Sequence, residues 1–199
     1  MLMLQKTNHQ SCRKLPYDER LTSLASYAQN TGQESRKQAL ALRLATLHLE
    51  QGSFKKCKET MDRFEIYPLD CWHMSMDAAE KFKQNQDYPS LFMMEEHGLI
   101  PTAHLVKFLL EAEGYAEFKE NFSYFFSRIG ESGVHGAVYQ TLIDMLFSDN
   151  EKAITLISVL GIASEETIRD ARGFKESADE RMKEAGREWA GNLLKKLFC

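Results

Sequence analysis

Four prolines and eleven glycines in 199 residues leave little material for long irregular tracts, Pro-rich linkers or collagen-like repeats. Nowhere does an apolar run approach the ~18 residues a membrane-spanning helix needs, so no membrane span is predicted. Charge of one sign is also missing. Twenty-five basic and 29 acidic residues give a net charge of −4, and the two signs are interspersed rather than blocked. A phosphate-binding face needs clustered basic side chains, so nucleic acid is not the default partner. The four cysteines, Cys12, Cys57, Cys71 and Cys199, show no C-x-x-C spacing, which predicts free thiols in the cytoplasm or another reducing compartment rather than a disulfide framework.

Chemistry-bearing motifs are scarce as well. The chain has no G-x-S-x-G, no G-x-x-x-x-G-K-[ST] and no G-x-G-x-x-G, and its six histidines are scattered. Cys71 and His73 lie two apart without a second pair at a zinc-like interval. Glu96 and His97 end an H-x-x-E-H pattern whose first position holds Met93, so the required first histidine is absent. No catalytic, metal-ligating or cofactor-binding residue is predicted, and no cofactor. The expectation is a non-enzymatic protein, with an active site assembled from distant residues as the alternative.

What the sequence does contain is helical periodicity. Residues 1–16 carry no acidic residue and read as a flexible lead-in ending at Pro16, with a transit-like segment as the other reading. Asp18 is placed to cap a first helix reaching about Asn30. The stretch Ala39 to Pro68 is a complete helical hairpin. Leu40, Leu42, Leu44, Leu47 and Leu49 form the first helix, and Gln51-Gly52-Ser53 supplies the turn, with Ser53 suited to cap the second helix. Phe54, Cys57, Met61 and Phe64 then line one face of that return helix, which Pro68 closes.

The same arrangement recurs at a fixed offset. Gly52-Ser53-Phe54 is matched 34 residues later by Gln86-Asp87-Tyr88, Leu44-Ala45 by Ala78-Ala79, and Cys57 by Leu91; a constant interval of this size marks stacked helical units. Ala45, Gly52, Phe54, Cys57 and Pro68 resemble the tetratricopeptide repeat, with His48 standing where that family usually has an aromatic. Met94 to Pro101 is similar to the end of a pentatricopeptide repeat, and Val138 to Asp144 to the opening of one. The resemblance covers about residues 35 to 162. It implies an all-α fold in which antiparallel hairpins stack into a right-handed superhelix, an α-solenoid, whose first helices line an inner face.

A third hairpin turns at Glu113-Gly114-Tyr115 and returns through Phe118, Phe122, Phe125 and Ile129, spaced as one apolar stripe. A fourth uses Val138 to Phe147 and Ala153 to Leu160, with Ser148 and Glu151 at capping-box spacing. From Ser164 to Leu197 the sequence reads as one long charged helix. Ile168, Ala171, Lys175, Ala178, Met182, Ala185, Trp189 and Asn192 form its weakly apolar seam, which can cap the repeats, dock on a partner or touch a membrane surface.

The domain plan is therefore a lead-in over 1–16, a hairpin-repeat domain over 17–162 and a long C-terminal helix over 163–199. Alignment of the first three units on their turns puts Thr46 and Leu49, Glu80 and Lys83, and Lys107 and Leu110 at equivalent inner-face positions; with Trp189 on the seam they are the candidate partner-binding residues. Mixed aliphatic and charged groups suit a partner peptide or helix, so the leading expectation is a protein-binding scaffold or adaptor. Single-stranded RNA is the alternative partner implied by the pentatricopeptide likeness.

Overall fold

The computed structural model describes residues 16–174 and 180–198, and these form eleven helices and no strand. In chain order they are α1 (Tyr17–Asn30), α2 (Glu34–Glu50), α3 (Phe54–Phe64), α4 (Pro68–Gln84), α5 (Tyr88–Glu96), α6 (Thr102–Glu111), α7 (Tyr115–Glu120), α8 (Phe122–Ser148), α9 (Asn150–Val159), α10 (Glu165–Gly173) and α11 (Glu180–Phe198). The chain divides into two compact units. The first runs up to Lys81 and includes Met93–Ile100; the second comprises Phe82–Phe92 and the chain from Pro101 onward.

One local device ends seven of these helices. Gly32, Gly52, Glu65, Gln86, Gly98, Glu113 and Gly161 all take positive φ, between 48° and 75°. In each case the residue's own N–H bonds the carbonyl three back and the next N–H bonds the carbonyl five back. This Schellman pattern satisfies carbonyls that the helix end would otherwise orphan. Turns that lead into a new hairpin, together with the break at Gly130 (φ 69°, ψ 174°), fall at positions 32, 65, 98, 130 and 161, at intervals of 33, 33, 32 and 31 residues. Within the second and third hairpins the positive-φ residue is Gln86 and then Glu113, 27 apart where the preceding pair, 52 and 86, is 34 apart.

In the first unit α1, α2 and α3 pack in succession. Ala25, Ala28, Ala41, Ala45 and Cys57 are fully buried; their small side chains let the helix backbones approach closely while Leu21, Leu44, Leu49, Phe54 and Phe64 fill the space between. Gln38 fixes the entry to α4. Its amide donates to Glu34 Oε1 (2.8 Å) and to the Glu65 carbonyl (3.0 Å), and its oxygen accepts from the Tyr67 N–H (3.2 Å).

In the second unit α8 is the helix on which α6, α7, α9 and α11 pack. Leu105, Leu109, Leu110, Val138, Leu142, Leu146, Leu156, Ile157 and Leu194 are fully buried there. Phe125 lies between Phe92 and Phe118, each ring 5.9 Å away and nearly parallel, an offset stacking that adds to the area all three bury. Buried Asn150 donates to the carbonyls of Leu146 (3.3 Å) and Ala171 (2.7 Å), tying α10 to the α8–α9 junction.

Several expectations are corrected. The aromatic return helix is interrupted at Asn121, giving α7 and α8, and its stripe is split: Phe118 and Phe125 are buried and Ile129 is half-buried, whereas Phe122 is exposed. The C-terminal segment contains two helices among its described residues, with 175–179 outside them, so Lys175 and Ala178 of the expected seam are not described. Ser53 makes no side-chain cap, the first helix follows Pro16 rather than Asp18, and Asp149 rather than Ser148 caps α9. Ser164 does cap α10, accepting from the Thr167 N–H at 3.1 Å. Cys12, Cys199 and the lead-in before Pro16 lie outside the described residues.

Candidate binding surfaces

The seven candidate residues meet different fates. Leu49 and Leu110 are core residues, 2% and 0% exposed, because the apolar face of each helix is wide enough to turn its last leucine inward. Their expected place on a binding face is corrected on that ground. Thr46 is half-buried and its hydroxyl donates to the Leu42 carbonyl of its own helix (2.9 Å). Glu80 is half-buried on α4. Trp189 is half-buried on α11, its ring 5.7 Å from Phe174.

Lys83 and Lys107 are brought together in the second unit. Lys83 Nζ pairs with Glu111 Oε2 (2.9 Å), Lys107 Nζ with Glu111 Oε1 (3.5 Å) and with Asp144 Oδ2 (2.9 Å), and Gln140 donates to Asp144 Oδ1 (2.9 Å). The result is an alternating ladder, lysine, glutamate, lysine, aspartate, from α4 through α6 to α8. Burial works against the Lys107 charge, yet its hydrogen bond to Asp144 and the field of Glu111 outweigh that and raise its pKa. Lys83 also lies 5.5 Å over the Phe108 ring. A charge already matched in this way has little attraction left for a partner, so the ladder is a structural tie.

A concave site lies in the first unit. Lys58, Met61 and Asp62 of α3, Ile66, Pro68, Cys71, Trp72 and Ser75 at the start of α4, and Gly98-Leu99 enclose an open pocket of about 320 Å³. The αL residue Glu65 makes it possible, because it turns the chain sharply between α3 and α4. Lys58 and Asp62 form an ion pair one helical turn apart, leaving that edge neutral. Tyr67, Leu69 and Trp72 are exposed to 51%, 67% and 38%, and Trp72 lines the pocket. Ser75 is 1% exposed, and its hydroxyl has no hydrogen-bond partner, a condition that costs roughly 1–3 kcal/mol.

Two thiols of this region, Cys57 and Cys71, are held protonated. Burial, with a contribution from Cys71, pushes the Cys57 thiol up to about 12, and burial with Asp70 raises that of Cys71. Neither is a thiolate at neutral pH, and the thiolate is the nucleophile. Among the described residues no group of three His, Cys, Asp or Glu could hold a metal ion, and no helix is long and apolar enough to cross a membrane. In the sequence, Cys71 and His73 stand out only as possible metal ligands, which does not point to a pocket. The cue that does is the apolar trio Tyr67, Leu69 and Trp72, placed where a helix start is ordinarily polar.

No protein-family model, curated protein or solved structure matches the chain.

Proposed function

We propose that this chain is a non-enzymatic scaffold, a right-handed superhelix of stacked helical hairpins, which holds a peptide or helix of a partner protein at the pocket beside α3 and α4. The exposed side chains Tyr67, Leu69 and Trp72, the last of which lines that pocket, carry the reading. Leaving these side chains in water forgoes about 1.5–3 kcal/mol for each aliphatic or aromatic group that a partner would cover. The near-constant interval between left-handed turns, 31 to 33 residues, supports the hairpin-repeat part of the proposal. Two of the positions first expected to bind, Lys83 and Lys107, are matched in the ladder, which moves the proposed surface to the first unit.

Selection from a displayed random-peptide library on the immobilised protein tests the reading. Peptides rich in aromatic and aliphatic residues should be enriched, and Leu69→Glu should weaken them at least tenfold without changing the far-UV circular dichroism. Absence of enrichment, or equal binding by Leu69→Glu and wild type, overturns it.

A further inference from the structure

We infer that the pocket beside α3 and α4 is a receptor for a single phenol ring, whose hydroxyl is bound by Ser75. The inference refines the scaffold reading at the same pocket. Elsewhere in the chain helical hydroxyls turn back to the carbonyl four residues before: Thr46 to Leu42, Thr60 to Lys56, Thr141 to Ala137, Thr155 to Glu151 and Ser158 to Ile154, all between 2.7 and 2.9 Å. Ser75 has the same option and does not take it. Its hydroxyl stays unbonded in a residue that lines the pocket at 1% exposure, a buried donor and acceptor whose hydrogen-bonding capacity is unspent.

The walls specify the rest of the ligand. Trp72 and Met61 both line the pocket, and an indole and a thioether are groups that favour aromatic contact over aliphatic. Ile66, Pro68 and Leu99 complete an apolar lining. With Lys58 and Asp62 paired to each other, the rim gives no net attraction to an anion or a cation. The volume of about 320 Å³ is at the low end of the ~300–1,000 Å³ range of small-molecule sites, which is ample for one ring. A ring with one polar atom is a phenol, supplied by a tyrosine of a partner chain or by a free phenolic molecule.

The test uses Trp189→Phe protein, in which Trp72 is the sole indole, titrated with p-cresol and with toluene. Saturable change in Trp72 emission is expected, with p-cresol binding about fivefold more tightly than toluene, the worth of one neutral hydrogen bond. Adding Ser75→Ala should equalise the two affinities and leave the melting temperature unchanged or higher, since it removes an unbonded hydroxyl. Amide shifts induced by p-cresol in the wild-type protein, confined to residues 58–75 and 98–99, provide a reading that needs no variant. Equal affinities before Ser75→Ala, a preference that survives it, or shifts elsewhere overturn the inference. A short capped peptide with one central tyrosine separates the sources. Tighter binding than p-cresol supports a partner chain, whereas weaker binding leaves the phenol site standing and overturns the scaffold reading at this pocket.

Discussion

Glu111 holds two lysines at once, with side-chain exposure of 24%, and Lys83 at 18% has little water with which to replace it. Glu111→Gln keeps the shape and removes the charge, so it should lower stability by on the order of 1 kcal/mol at low salt. That difference should shrink in 1 M salt if the ladder acts through charge, and denaturant melts at both ionic strengths measure it. His48 poses a different question, since burial and the charge of Lys56 hold its pKa below the ordinary value, and its buried Nδ1 has no hydrogen-bond partner. The unfolded chain therefore takes up that proton at a higher pH than the folded one does. Its contribution is complete above the unfolded value, near 6.5, and is lost as pH falls through the lower folded value. His48→Phe should flatten the decline in denaturant midpoint between pH 7 and pH 5 relative to wild type. An unchanged slope would show that other groups dominate.

The helices themselves were largely legible, because leucine and alanine at helical spacing and glycines at 32, 52, 98 and 161 are local signals that set start and stop. Glu113 holds the left-handed conformation in a turn that the adjacent Gly114 marks; less legible were the turns at Glu65 and Gln86, where ordinary residues do the same. Nothing local marks them, and only the 34-residue comparison reached Gln86. An L-residue there gives up about 1–2 kcal/mol, so Gln86→Gly should raise stability by a few tenths to about 1 kcal/mol after the loss of unfolded-chain stiffness is counted. A drop in melting temperature would refute this. The C-terminal helix shows the opposite limit. Gly173 and Gly186 look alike in sequence, yet a Cβ at Gly173 meets nothing within 4 Å, whereas one at Gly186 falls 2.6 Å from Phe147 Cζ. Gly186→Ala should destabilise by about 1–3 kcal/mol through overpacking, and Gly173→Ala should be neutral or stabilising; paired thermal melts distinguish the two.

At the scale of the molecule, the all-α class was readable, but the binding surface was not. Alignment on the turns assumes that each repeat presents the same helical phase, and burial breaks that assumption: at the same distance from their turns Leu49 and Leu110 are core residues, whereas Lys83 reaches an ion pair. Because α4 and α5 each contribute residues to both compact units, neither unit can lose its helices without cutting short the other's. One cooperative transition is expected. Trp72 belongs to the first unit and Trp189 to the second, so Trp72→Phe and Trp189→Phe proteins provide separate reporters, and their urea midpoints, each referred to its own circular-dichroism curve, should coincide. Separate midpoints would mean that the units unfold independently. Gly130 interrupts α8 with an exposed residue in a backbone state that a side chain would resist, and open space surrounds it. A foreign loop, such as an epitope tag or a fluorescent insert, should therefore be accepted there at least expense to the fold, giving a way to label the chain internally without touching either end.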